Sequence, residues 1–370
     1  MAPHSGVPLT IRRQSLVVGA VCAGRRLRLM GVGMSQMYAS LQTGVLRAVL
    51  VWLCFLNVFV FPTPALARTD RDGWSDANSG ATSGEDFQYD RPVPSYVKLY
   101  GAARDVPISY QDGCHVGPTE HTFRHCVYGD ASSSFSVALF GDSHAEQWLP
   151  GLIRAATARH WRVDTLTRSA CASADIRSYN KLLGHMDWDC VHFRHHALAW
   201  MADHPPDIVL MSNLGLYVPR DPSGQPYPPS EREAQWRAGL ARTFDALPSS
   251  SRAILLEDTP YPGVEVPACL KAHRQSIAAC VRPRTKVVKS AHAASEKQAA
   301  DESGAIFANL TDQMCPVDQC PVLLDQIVLY RDHSHISATY SRALAPSLGA
   351  ILDAARAAPT IRQRVSRTAT

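Results

Sequence analysis

The stretch SVALFGDSHAEQWLPGL, residues 136–152, holds an apolar run that stops abruptly at Gly141-Asp142-Ser143-His144, with a helical pattern starting immediately after. A short apolar run bounded by a turn reads as a buried strand, and the segment after it as a helix. A residue at such a junction stands above the sheet edge, with its amide near a helix N-terminus. Those amides and the helix dipole favour negative charge. A serine placed there can attack a carbonyl while its own N–H helps to hold the oxyanion. Gly-Asp-Ser alone is a weak signal, because Asp and Ser are also ordinary N-cap residues. A nucleophile needs a histidine and a carboxylate from elsewhere in the chain.

Both are supplied by LYRDHSHISATYSRAL, residues 329–344. Asp332 and His335 stand three apart, just before a helix expected from about Ser337. In a short turn this spacing brings the carboxylate to one ring nitrogen and leaves the other facing outward. A general base needs that arrangement: a partner that fixes its tautomer and stabilises the imidazolium. His333 adjoins Asp332 and is expected to point elsewhere. Because His335 must be neutral to act as base, activity should fall through its pKa on the acid side and should not be flat from pH 5 to 8.

The remaining pattern says how these segments meet. Short apolar runs fall at 135–140, 161–166, 207–212, 252–257 and 305–310. Helical patterns lie between or after them, at 145–159, 191–203, 231–246, 286–302 and 338–356. Strands alternating with helices predict a mainly parallel five-stranded sheet covered on both faces. Two inserts interrupt the alternation. Residues 214–230 are rich in Pro and Gly and are expected at the rim of a site, and residues 259–284 break the fourth unit. Loops after the strands of an open α/β sheet line the crevice where ligands bind.

Composition bounds the rest. Of 370 residues, 46% are hydrophobic and 19% charged, a globular balance with enough apolar material for a sizeable core. The net charge is +4, spread thinly, with no basic stripe and interleaved aromatics; nucleic acid is therefore not an expected partner. Residues 48–61, AVLVWLCFLNVFVF, are preceded by Arg47 and followed by PTPALA, with Ala65 and Ala67 in the A-x-A pattern of a signal-peptidase site. The run is short for a bilayer span. A secretory signal is expected, an uncleaved anchor being the alternative; the nearer Met34 or Met37 is the expected start. The domain reading is an extension and signal or anchor at 1–67, a flexible linker at 68–94, one domain at 95–357 and a disordered basic tail at 358–370.

Beyond Cys22 and Cys54, eight cysteines fall as near neighbours: Cys114 with Cys126, Cys171 with Cys190, Cys269 with Cys280, and Cys315 with Cys320. This spacing predicts four local disulfides and an oxidising compartment. No pair has the two-residue spacing of a zinc knuckle, and no metal is expected.

Gly-Asp-Ser-His at 141–144 and Asp-x-x-His-Ile-Ser at 332–337 resemble the SGNH hydrolase superfamily. They are closest to the SGNH domain often fused behind a multi-pass acyltransferase-3 domain in bacterial carbohydrate O-acetyltransferases. The resemblance extends over roughly residues 100–355. It implies a flavodoxin-like three-layer α/β/α sandwich, with Ser143 as nucleophile, His335 as base and Asp332 as its orienter; Gly141, Asp142 and His144 shape the nucleophile turn. No cofactor is implied. Two departures stand out. The family's Gly block and Gly-x-Asn-Asp block, which donate to the oxyanion hole beside the nucleophile's amide, are not recognisable. Asn213, directly after the 207–212 run, is the candidate to join Ser143 there, and an ordinary turn residue is the competing reading. The multi-pass domain is also missing from this sequence, so another protein is expected to carry the acyl group across the membrane.

The histidines of HFRHHALAWMADH, with His192 and His195 or His196 on one helical face, lack a completing carboxylate motif and read as a solvated helix. Trp148 and Trp188 are possible sugar platforms, although tryptophans in an α/β domain are more often core. The expected function is an extracytoplasmic acyltransferase moving an acetyl or similar group, through a Ser143 ester, to a cell-envelope carbohydrate. A secreted esterase with the same triad and a non-catalytic envelope-binding module are the alternatives.

Overall fold

The computed structural model describes residues 90–360. The apolar run at 48–61, the PTPALA site, Cys22, Cys54, most of the 68–94 stretch and residues 361–370 lie outside the described residues. A six-stranded sheet is built from β1 (Cys126–Gly129), β2 (Ser136–Gly141), β3 (Arg162–Thr167), β4 (Ile208–Ser212), β5 (Arg252–Leu256) and β6 (Ile306–Ala308). Its spatial order is β1-β3-β2-β4-β5-β6. The strands from β2 to β6 are parallel, and they coincide with the five apolar runs. Leaving β1 aside, this is the flavodoxin-type order, in which the crevice opens where the winding reverses, at the C-terminal ends of β2 and its neighbours.

The sixth strand is an addition to the five expected. β1 pairs antiparallel to β3, with Cys126 opposite Thr165. Its CVYG sequence is too short to show a period, and its edge position is pinned by the Cys114–Cys126 disulfide.

Alternation along the parallel strands divides the apolar side chains between two cores. Val137, Leu139, Ile208, Leu210, Ile254 and Leu256 face one side. Ala138, Phe140, Val209, Met211, Ala253 and Leu255 face the other. Helices cover both faces. The first core takes Leu149 and Leu152 from α2 (Leu149–Thr157), Tyr340 from α6 (Ala338–Ala343) and Leu348 and Leu352 from α7 (Ala345–Ala357). The second takes Met201 from α3 (Trp188–Asp203), Trp236, Leu240 and Phe244 from α4 (Pro229–Ala246), and Ala299 and Ala300 from α5 (Ser290–Glu302). The result is three layers.

Two expected helices are divided. The first splits into α1 (Ser143–Glu146) and α2, whose N-terminus holds Pro150. The last splits between α6 and α7, where Pro346 sits near the α7 N-terminus. Proline has no N–H to give to a preceding turn and its ring crowds that turn's carbonyl, so it restarts a helix rather than continuing one. The expected helix at 286–302 begins only at Ser290, after a separate turn at Arg284–Val287.

All four expected disulfides are present: Cys114–Cys126, Cys171–Cys190, Cys269–Cys280 and Cys315–Cys320. The final residues of the expected linker are docked, not free. Val93 is buried and donates its N–H to the Arg274 carbonyl at 2.8 Å. Among the described residues no helix is long and apolar enough to cross a membrane.

Candidate active site

Ser143 opens α1 directly beyond β2, and the turn that carries it is fixed on every side. Gly141 has φ +146°, and a Cβ there would lie 2.5 Å from the Ser212 carbonyl oxygen, so only glycine fits between β2 and β4. Asp142 caps α1: its Oδ1 accepts the His144 N–H at 2.7 Å. Its Oδ2 accepts the Leu214 N–H and the Tyr217 hydroxyl, both at 2.9 Å. The 214–230 insert is thereby fastened to the nucleophile turn. Because α1 is a single turn, little dipole builds up behind Ser143; what remains available to an anion is the backbone amide itself.

The structure brings the three residues of the expected triad together. The Ser143 hydroxyl donates to His335 Nε2 at 2.9 Å, across 192 residues of sequence. Because the Asp332 carboxylate can only accept, His335 Nδ1 donates to Asp332 Oδ2, at 2.8 Å. Asp332 Oδ1 also accepts the backbone N–H groups of Ser334 and His335, each at 2.7 Å. Burial would raise the Asp332 pKa, but the His335 hydrogen bond and charge and the two amides hold it far below the usual carboxylate range. Burial pushes His335 down to about 4, aided by the charges of His144 and Arg331 and opposed by its bond to Asp332. His335 is therefore neutral, and able to accept a proton, throughout the mild pH range. His333 points elsewhere, as expected, to Glu265 at 2.9 Å.

His144 does not join the chain of hydrogen bonds. Its ring centre lies 4.6 Å from that of His335, and its Nδ1 donates to Asp258 Oδ1 at 2.6 Å. Burial disfavours its charge, yet the pairing with Asp258 holds its pKa above the ordinary imidazole value. Asp258 Oδ2 accepts the Gly215 N–H at 2.8 Å, so one carboxylate steadies both the turn and the insert.

Asn213 is buried at the end of β4. Its Oδ1 accepts the Ser173 N–H at 2.7 Å and the Ser173 hydroxyl at 3.0 Å. That leaves its Nδ2 as a buried donor with no partner among the described residues. An amide held by its oxygen keeps its NH2 unspent for a further acceptor.

Sequence reasoning missed four neighbours of this site. Besides Asp258, Gln147 Oε1 accepts the Ile336 N–H at 2.8 Å. Arg331 is buried, with Nε 3.7 Å from Asp332 Oδ2 and Nη2 donating to the Tyr110 hydroxyl at 3.1 Å. Glu146 is fully enclosed by Ser109 and Thr167, and burial raises it to about 7. Only Asp258, a carboxylate just past an apolar run, carried any signal in the sequence. Trp148 is core, whereas Trp188 is 49% exposed, contrary to the expectation for tryptophan in this fold class. Among the described residues no group of three or more His, Cys, Asp or Glu side chains is arranged to hold a metal ion.

No curated protein matches the chain. Among solved structures, the periplasmic domain of a Salmonella ser. Paratyphi A lipopolysaccharide acetyltransferase is similar at 12% identity and a TM-score of 0.48, over 60% of this chain and 85% of that one. A carbohydrate acetylesterase family member from Sinorhizobium meliloti is similar at 12% identity and a TM-score of 0.35, over 60% of this chain and all of the other (100%). A Corynascus thermopiles (Myceliophthora fergusii) carbohydrate esterase family 2 enzyme with a carbohydrate binding domain gives 13% identity and a TM-score of 0.34, over 60% and 67% respectively. The family model of the SGNH domain fused to AT3 domains matches residues 113–349. That span is well over half of the chain and includes Ser143, Asp332 and His335, and this protein belongs to the family of SGNH domains found fused to AT3 domains.

Proposed function

We propose that the chain is a serine-dependent O-acyltransferase acting outside the cytoplasmic membrane, on an acyl group supplied by a membrane acyltransferase domain. The observation that carries this reading is the hydrogen-bonded series Ser143–His335–Asp332 at the mouth of a parallel sheet. Ser143 Oγ attacks the acyl carbonyl as its proton passes to His335 Nε2. The negative oxygen of the tetrahedral intermediate is held by the Ser143 N–H and Asn213 Nδ2. Collapse breaks the bond to the leaving group, which takes the proton back from His335. An acceptor hydroxyl then attacks the Ser143 ester, gives its proton to His335 and departs as the new ester, and His335 returns that proton to Ser143. Asp332 remains ionised throughout and stabilises the imidazolium.

Four disulfides in the described domain favour an oxidising compartment. The family's association with AT3 domains supports a membrane partner as donor and a carbohydrate as acceptor. Hydrolysis shares the first half of the sequence and differs only in taking water as acceptor. The unspent Asn213 donor weighs against a merely binding role.

Two measurements test this. A fluorophosphonate probe should label Ser143 and leave Ser143→Ala unlabelled; equal labelling of both would overturn the assignment of the nucleophile. With an acetyl ester as donor and a saccharide present, mass spectrometry should find acetylated sugar. Hydrolysis alone at every acceptor concentration would make the protein an esterase.

A further inference from the structure

We propose that a groove beside the nucleophile turn binds an anionic saccharide, one carrying carboxylate or phosphate groups. The groove has a volume of about 430 Å³, within the ~300–1,000 Å³ usual for small-molecule sites. Four arginines line it, Arg177, Arg194, Arg220 and Arg242, against one carboxylate, Asp175. Asp175 is already claimed: its Oδ1 accepts from Arg194 and its Oδ2 from Arg242, each at 2.9 Å. Arg177 and Arg220 form no ion pair among the described residues. Arg220 gives Nη1 to the Gly224 carbonyl at 3.2 Å, but its Nε is buried without a partner among the described residues. A guanidinium with a buried donor unspent lacks an acceptor, and a carboxylate or phosphate oxygen is the acceptor its geometry fits best.

The aromatic residues identify what carries the anion. The Arg177 guanidinium lies 5.9 Å from the ring centre of Trp188, and that of Arg220 lies 5.2 Å from Tyr179. Trp188 is 49% exposed and Tyr179 is 42% exposed. Trp188 and Tyr227 line the groove itself, and Tyr179 adjoins it through Arg220. Flat aromatic faces in a concave site suit the C–H face of a sugar ring. A bilayer headgroup would be met by a convex or flat surface, and nucleic acid by a longer basic track than these residues provide.

Position ties the groove to the reaction site. Ser173, which holds Asn213, is two residues from Asp175, a span of at most about 7 Å. From the other side, Tyr217, bonded to Asp142, is two residues from Pro219 at the groove wall. The bound saccharide is the acceptor only if the acyl-transfer reading holds; binding itself does not depend on Ser143.

The test therefore reads binding in a Ser143→Ala background, by calorimetry and tryptophan fluorescence. The probes are galacturonic acid oligomers, glucose 1-phosphate, a neutral glucan oligomer of equal length and vesicles rich in anionic phospholipid. Uronate or sugar phosphate should bind and weaken as salt rises, and whichever binds names the anion. Arg177→Gln with Arg220→Gln should weaken that binding roughly tenfold or more. Trp188→Ala, at a half-exposed position outside the apolar cores, should weaken it too. Equal binding of neutral and charged sugars, no sugar binding, or retention on vesicles alone would overturn the proposal. Failure of the unmutated protein to be labelled at Ser143, with saccharide binding intact, would remove the acyl-transfer reading and leave the groove standing.

Discussion

Gln147 and Ile336 are joined by a 2.8 Å hydrogen bond between a side-chain carbonyl and a backbone N–H, 189 residues apart in sequence. Gln147 lies between α1 and α2 on the Ser143 side, and Ile336 follows His335 directly. The bond fixes the distance between the two reacting side chains, and burial protects it from competing water. Gln147→Leu should leave the Ile336 N–H unsatisfied, at a cost of about 1–3 kcal/mol measured by denaturant unfolding. Misplacement should lower kcat by roughly 10²-fold with little change in KM. Gln147→Glu, which keeps an acceptor, should restore most of it. Lost stability with kcat intact would show a structural role only.

Asn213→Ala removes the candidate oxyanion donor. Turnover should fall by about 10²–10³-fold, with KM for a small ester almost unchanged. Acyl-ester kinetics separates the two quantities. A fall in stability alone would mean that Asn213 serves only to hold Ser173.

His335 sets the acid limit of activity. Burial lowers its pKa to about 4, so the base is neutral above that value and becomes protonated below it. The rate of Ser143 labelling should be nearly flat from about pH 5.5 to 8, falling with a midpoint near 4. The sequence alone led to a limb inside pH 5 to 8, as from an ordinary histidine near 6.5; burial moves it below that range. Circular dichroism at each pH distinguishes titration from unfolding. A midpoint above 6 would contradict the buried pair.

Glu146 contributes a dependence of the opposite sign from a buried histidine. Its pKa is raised from 4.5 to about 7, so between these values the folded state holds a proton that the unfolded state has lost. Stability therefore falls as pH rises through that window, and is flat above it. Glu146→Gln has no proton to lose. The variant should gain roughly 3 kcal/mol on the parent between pH 4.5 and 7, read as the difference between two unfolding series. The difference removes contributions common to both proteins, that of His335 among them. A constant difference across the window would mean that Glu146 is not held neutral.

Much of the site was legible because its signals are local. β2 ends at a Gly-Asp-Ser turn, and Asp332 and His335 lie close enough for one short loop to pair them. Each disulfide also joins near neighbours, so spacing alone identified the partners. Gln147 and Arg331 were not legible, and Asp258 showed only as a carboxylate just past an apolar run. A single amide, carboxylate or guanidinium has no period, and each acts on a segment brought near by folding.

The amino-acid sequence by itself determined the alternation of strands and helices, the two ends of the reacting group and the four cysteine pairs. These follow from periodicity and short spacing, which act within a few residues. Tertiary structure alone decided the edge strand β1, the lowered base at His335, the free Nδ2 of Asn213 and the arginine groove. Each depends on burial or on contact between distant segments, and burial is a property of the packed chain, since water leaves a side chain only when others surround it.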